Sequence, residues 1–294
     1  VGTDPGANSS TGEEDVHWFI PQFNFPLFEP TSVEECYHYT QHAFELSEKY
    51  EIPVVIFVPG RLAYNYEQVH VSTKTGSKEK NFYFKKDRDK YINVGQRAVK
   101  NHQLLIEKVD KIAANESHFK TEFNQNAGIG LIVRGLAYTI CCELIQELQL
   151  EDKVHLLNLD LVYPISKDVI LKFVKNKEEI IFIEDQDGFL ENQTKMSFFN
   201  DLNCEIHGKD IFPKYGEITI EQVENYLSHK FDLSLPQKDK SSEIIVPERL
   251  GTFCEGCPHT GSYFAIDEVL KELDGVIGGD IGCSSLPPFR ADWL

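Results

Sequence analysis

Basic residues are scarce in this 294-residue chain: 29 Lys and Arg stand against 47 Asp and Glu, a formal net charge of −18. Nucleic-acid binders need basic patches to displace phosphate counterions, so the balance argues against that class of partner. The acidity itself reads as a device for solubility. Long apolar runs are missing too. None approaches the roughly 18 residues that cross a bilayer, so no membrane segment is expected. Val1-Gly2-Thr3-Asp4-Pro5 lacks the basic stretch and apolar core of a signal peptide. No internal repeat is visible. The seven cysteines cluster late and unevenly, unlike a secreted disulfide framework, and a reducing, cytoplasmic setting is expected.

What is present describes an ordinary globular α/β protein. Apolar residues make up 41% and charged residues 26%, and the length is generous for one domain. Thr31 or Ser32 followed by Glu34-Glu35 predicts a helix start, with the helix running to Tyr50. Val54 to Val58 reads as one buried parallel strand. Residues 1–62 are therefore expected to be the end of an α/β domain, and 63–126 a polar loop and helical linker with a helix near Val94–Ala114. From 127 to 230 strands and helices alternate: strands at Ile129–Val133, Val154–Leu159, Ile180–Glu184 and Cys204–Ile206, with a helix after each. Ser166 is the expected cap of the second of these helices. Such alternation predicts a parallel sheet covered on both faces. Gly128-Ile129-Gly130 lacks the third glycine and the placement of a dinucleotide fingerprint, so NAD is rejected. Residues 231–248 read as a linker, and 249–294 open a further α/β unit. Both ends read as cut, which predicts an internal fragment of a longer polypeptide.

The densest chemistry lies in that last unit. Cys254-Glu255-Gly256-Cys257-Pro258-His259 and Gly279-Asp280-Ile281-Gly282-Cys283-Ser284-Ser285 flank a predicted helix, Tyr263–Leu273. Cys254, Cys257 and Cys283 are candidate metal ligands, since a C-x-x-C pair turns two thiolates to one ion or cluster edge. Spacing alone does not choose between zinc and iron–sulfur. His259 reads as a fourth ligand for zinc or, equally, as a core or cap residue. Glycines at 279 and 282 would let backbone N–H groups approach a ligand, and Asp280 would reach a metal or a ring nitrogen, or merely cap the turn. Elsewhere, the polar loop Asp4–Asp15 reads as exposed, Glu184-Asp185 as a solvated strand end, and Cys141-Cys142 as core.

These motifs occur together with Asp4-Pro5-Gly6-Ala7-Asn8-Ser9-Ser10, Leu27-Phe28-Glu29-Pro30-Thr31 and Ala43 to Val54. In that order they resemble the α subunit of indolepyruvate:ferredoxin oxidoreductases, within the 2-oxoacid:ferredoxin oxidoreductases. The resemblance implies parallel-sheet α/β domains of the transketolase-like, thiamine diphosphate-binding type. Residues 1–62 would end the pyrimidine-binding domain, 127–230 would be the transketolase C-terminal-like domain, and 249–294 would begin the diphosphate-binding domain. It further implies oxidative decarboxylation of an aryl 2-oxoacid to the acyl-CoA, with electrons passed to ferredoxin. The implied cofactors are thiamine diphosphate, Mg²⁺ and a [4Fe-4S] cluster, and the implied partners a β subunit, ferredoxin and coenzyme A. On that reading Gly279, Asp280, Ile281, Gly282, Cys283 and Ser284 bind cofactor, Cys254, Cys257 and Cys283 hold the cluster, and His259 acts at the cofactor. One departure is His17-Trp18, where the family usually carries an Arg.

Overall fold

Strands of two residues open the fold, and local propensity alone cannot hold them. The computed structural model describes residues 2–7, 12–71, 84–234, 253–273, 275, 282, 283 and 286. They fall into two compact units, Val1–Leu233 and Ser234–Leu294. In the first, β1 (Gly2–Thr3) precedes α1 (Phe19–Phe23) and β2 (Leu27–Phe28). α2 (Val33–Tyr50) begins as predicted: the Ser32 hydroxyl accepts the Glu35 N–H at 3.2 Å, and the Glu35 carboxylate accepts the Thr31 N–H at 2.7 Å. The apolar run after it divides, which the sequence reading did not foresee. β3 (Val55–Ile56) pairs in parallel with β2, and β4 (Val58–Pro59) pairs in parallel with β1. The change of neighbour falls at Phe57, which is fully buried between the two.

The first segment ends in α3 (Gly60–Ala63), and the predicted linker carries α4 (Arg88–Tyr91) and α5 (Gln96–Asn115). α5 is more than a connection, because Val109 and Ile112 pack with Phe28, Tyr39 and Leu46 in one apolar cluster. Then β5 (Phe119–Phe123) adds an antiparallel edge strand that sequence reading missed. Its side chains are exposed or half-buried throughout, so it carries no apolar alternation to read.

The main sheet follows the predicted rhythm: β6 (Ile129–Val133), α6 (Ala137–Glu147), β7 (Val154–Leu159), β8 (Leu161–Tyr163), α7 (Lys167–Val174), β9 (Glu179–Ile183), α8 (Phe189–Phe198), β10 (Glu205–His207) and α9 (Ile220–Lys230). Strand order is β10-β9-β6-β7-β5, parallel except for β5. Leu131, Val133, Leu156 and Ile183 pack with Cys141 and Ile145 of α6 and Val223 of α9. Ile132, Leu157, Ile180 and Phe182 pack with Ile170 and Phe173 of α7 and Leu190 of α8. Each such side chain contributes about 1.5–3 kcal/mol by leaving water. Ser166 does precede α7, but its side chain makes no capping bond. β8 leaves this sheet to pair antiparallel with β2, through Leu27↔Tyr163 and Phe28↔Leu161. Segments 1–62 and 127–230 therefore share a seam.

In the second unit α10 (Pro258–Leu270) starts well before the predicted Tyr263. Pro258 sits at its first turn, where a fixed φ and a missing N–H suit a helix start.

Candidate functional site

Ligand sites in open α/β sheets lie at the carboxyl ends of parallel strands, and here those ends carry charge. Arg134 follows β6 directly and Glu184-Asp185 follow β9. An apolar buried strand delivers each into the interior, where an ion must find partners. Arg134, 2% exposed, finds them all. Its Nε donates to Glu184 Oε2 at 2.7 Å, its Nη1 to Glu29 Oε1 and Oε2 at 2.9 and 2.8 Å, and its Nη2 to the Asp185 carbonyl at 3.2 Å. Glu184 also accepts the Leu190 and Glu191 N–H groups at 2.9 and 3.0 Å, filling open donors at the start of α8.

His17 completes the network from the N-terminal segment. Its Nδ1 lies 2.6 Å from Asp15 Oδ1, and its Nε2 lies 2.8 Å from Arg134 Nη1 and 3.3 Å from Glu29 Oε2. Phe57 and Phe189 wall the ring at centroid distances of 4.1 and 5.3 Å. Burial and the Arg134 charge press its pKa down, but the bonds to Asp15 and Glu29 outweigh them and raise it. When neutral, Nε2 accepts from Arg134; when protonated, it turns its N–H to Glu29. Burial opposes ionisation of Glu29 as well, yet Arg134 and His17 hold its pKa at about 2. Asp185 lacks an equal partner. Burial lifts it to about 6, although the Ile218 N–H donates to its Oδ1 at 2.6 Å.

Each nitrogen of Arg134 thus donates to at least one partner, so the guanidinium organises this end of the sheet. Beside it opens a cleft of about 440 Å³ lined by Trp18, Asp187, Glu191, Asn192, Lys209 and Lys214, among others. Lys209 Nζ donates to the Glu184 and Pro213 carbonyls, the latter at 3.0 Å, and burial lowers its pKa. This lining suits a polar ligand carrying charge of both signs.

The sequence-predicted residues lie in the second unit. Cys254 and Cys283 are exposed and Cys257 is half-buried, with its Sγ 3.3 Å from His259 Nδ1. Among the described residues, no three Cys, His, Asp or Glu side chains gather as a metal-holding group, so Cys254, Cys257 and Cys283 do not form one here. Phe253 stacks on His259 at 5.9 Å between centroids. Gly282 has φ 114°, a conformation that favours glycine. Gly279, Asp280, Ile281 and Ser284 lie outside the described residues, as do Asn8, Ser9 and Ser10.

Sequence reading missed the Arg134 network because its members come from four distant segments. Glu184, read with Asp185 as a solvated strand end, is buried instead and Asp185 is half-buried, and the segment 15–17 brings a half-buried Asp15 and a buried His17 to them. The available signal was an ionic residue placed directly after an apolar run, 131–133 and 180–183.

Comparison with known proteins bears on both units. Residues 1–129 match the family described as pyruvate flavodoxin/ferredoxin oxidoreductase, thiamine diphosphate-binding. The indolepyruvate oxidoreductase subunit IorA of Thermococcus kodakarensis is 32% identical, over 99% of this chain and 47% of the relative. The IorA of Pyrococcus horikoshii is 30% identical over the same shares. The chain thus spans about half the length of these relatives. A 2-oxoglutarate:ferredoxin oxidoreductase from Magnetococcus marinus, solved with 2-oxoglutarate, coenzyme A and succinyl-CoA bound, shares the fold. The TM-score is 0.55 at 15% identity, over 78% of this chain and 48% of that one.

Proposed function

Because the chain is a relative of IorA subunits over 99% of its length, we propose that it forms part of a thiamine diphosphate-dependent 2-oxoacid:ferredoxin oxidoreductase, working with a β subunit. On this reading the whole protein decarboxylates an aryl 2-oxoacid of the indolepyruvate type. Coenzyme A takes the acyl group and ferredoxin takes the electrons. The observation that carries the reading is similarity running the length of the chain, through the first unit and into the cysteine turn.

The residues present suit the implied groups in chemical kind. Gly256, at φ 73°, closes a turn in which the Cys257 N–H donates to the Cys254 carbonyl at 3.1 Å, so two soft thiolate donors flank one loop. Cys254 and Cys257, with Cys283 as the third cysteine of the motif, are the proposed ligands of the [4Fe-4S] cluster, although the described residues do not gather the three as one group. At Gly282 the positive φ of 114° favours glycine, whose missing Cβ suits close approach by a ligand. The turn 279–284 is the proposed cradle of the diphosphate and its Mg²⁺, with His259 as the polar side chain beside it. Bound thiamine diphosphate would supply the electron sink that loss of CO₂ from a 2-oxoacid requires. The chain's own buried contribution is the network at Arg134, which fixes the 15–17 loop and Glu29 to the sheet and gives His17 two carboxylates between which to hold a proton.

The test is ferredoxin reduction by the full-length protein with its partner subunit. Indolepyruvate, phenylpyruvate, pyruvate and 2-oxoglutarate are compared, each with and without thiamine diphosphate and coenzyme A. Preference for the two aryl acids, dependent on thiamine diphosphate, is expected. Preference for pyruvate or 2-oxoglutarate overturns the aryl part alone, and no 2-oxoacid-dependent reduction overturns the whole.

A further inference from the structure

A second cavity, of about 420 Å³, opens on the face of the main sheet that α7 covers. β5 and β7 pair with Thr121 opposite Leu157 and Phe123 opposite His155, so Phe119, Thr121, His155 and Leu157 project from one face. Phe173 of α7 closes over His155, ring centroids 4.4 Å apart at 33°. The cavity lies among these side chains, with Lys172, Lys175 and Asp168 at its rim. It therefore has aromatic walls, an apolar floor at Leu157 and Val169, and two cations against one carboxylate. Its size falls in the range of small-molecule pockets.

His155 marks it as more than a gap in packing. The residue is 7% exposed, and among the described residues neither ring nitrogen meets a hydrogen-bond partner. Buried polar groups are normally satisfied, and an orphaned one calls for explanation. A half-turn about χ2 exchanges ring nitrogens for ring carbons without leaving the plane against Phe173, so the edge towards the cavity can carry a nitrogen. Burial, with the nearby Lys177 charge, holds the His155 pKa at about 4, so the neutral ring offers one donor and one acceptor.

We propose that this cavity binds a planar aromatic anion, its ring against Phe119 and Phe173, its polar edge at His155 and its acid group at Lys172 and Lys175. Aryl carboxylates and purine nucleotides share that chemistry. Aromatic walls favour a flat ring, and the two lysines favour an anion although the chain as a whole is strongly acidic.

Calorimetric titration of the full-length protein with indole-3-acetate and with adenosine monophosphate separates the two sources, with acetate and inorganic phosphate as controls lacking a ring. One aromatic probe is expected to bind with Kd below about 1 mM. The Lys172→Glu/Lys175→Glu double variant, altered only at exposed positions, should weaken it roughly tenfold, and Phe119→Ala about fivefold. In histidine-labelled protein the His155 ring nitrogen shifts should move with saturation. Binding of neither probe by about 10 mM, equal binding of the ringless controls, or unchanged affinity in the lysine double variant would each overturn the proposal.

Discussion

Arg134 and Glu29 are 105 positions apart in the chain, yet their side chains meet at 2.8 Å with almost no exposure to water. Such a pair adds little net stability over an apolar replacement, because both ions lose their hydration. Removing one partner is different, since it strands the other. Arg134→Met leaves Glu29 and Glu184 buried without their counter-charge and is expected to cost about 3–5 kcal/mol in a urea titration. Arg134→Lys should recover only part, because an ammonium cannot reproduce the planar fork. The double variant Arg134→Met/Glu29→Gln should be more stable than Arg134→Met alone. An Arg134→Met protein that unfolds at the parent midpoint would sink this account.

Gly135 tests the same geometry from the backbone. Its φ is 56°, and a Cβ there would lie 2.4 Å from Glu29 Oε1, a carboxylate that Arg134 holds in place. Gly135→Ala should therefore cost roughly 2–4 kcal/mol, through strain and displacement of Glu29 together. Among the described residues, nothing lies within 4 Å of a Cβ on Gly261, inside α10. Gly261→Ala should be neutral or stabilise α10 by up to about 1 kcal/mol. Equal thermal shifts in the two variants would show that the close approach at Gly135 is not real.

The contrast between these positions also shows what a sequence can disclose. The Ser32–Glu35 cap, the parallel strands and their covering helices are local or periodic, and they were legible. The start of α10 is less legible, because Pro258 belongs at once to the cysteine motif and to the first turn of the helix. β5 was invisible because Phe119-Lys120-Thr121-Glu122-Phe123 gains its place from pairing with β7 and not from its own pattern. The Arg134 network was invisible for a stronger reason. Arg134 lies 117, 105 and 50 positions from His17, Glu29 and Glu184, and only the crossover topology of the sheet brings them to it.

Three groups in that network set opposite pH dependences. Glu29 falls from 4.5 to about 2, so its contribution is full above pH 4.5 and is lost as pH drops towards 2. Asp185 rises from 3.8 to about 6, so it favours the folded state when protonated, and that advantage is lost as pH climbs through 4 to 6. His17 is raised above 6.5, so its contribution is present below that value and is lost as pH rises through the folded pKa. Stability should peak in mildly acidic solution and decline above it. Asp185→Asn keeps an acceptor for the Ile218 N–H and should raise Tm at pH 7 but not at pH 4. Identical Tm–pH curves for parent and variant would refute the burial of that charge.

The last expectation concerns Cys257, which sits at the N-cap of α10 with its Sγ 3.3 Å from His259 Nδ1. If Cys254 and Cys257 hold the proposed cluster, Cys257→Ser in the full-length protein should strip most of the iron and acid-labile sulfide, since a hydroxyl is a poor ligand for a soft cluster iron. The helix should survive, because serine is a better N-cap than cysteine. Cys36→Ser serves as the control. Cys36 lies in α2, half-buried and distant in the chain, and its replacement should leave metal content unchanged. His259→Ala should keep the metal and lower turnover, because the residue is assigned a polar role at the cofactor. Metal analysis with circular dichroism separates the outcomes. One zinc per chain and no sulfide in the parent would replace the cluster with a structural zinc site. Unchanged iron in Cys257→Ser would remove this turn from the metal altogether.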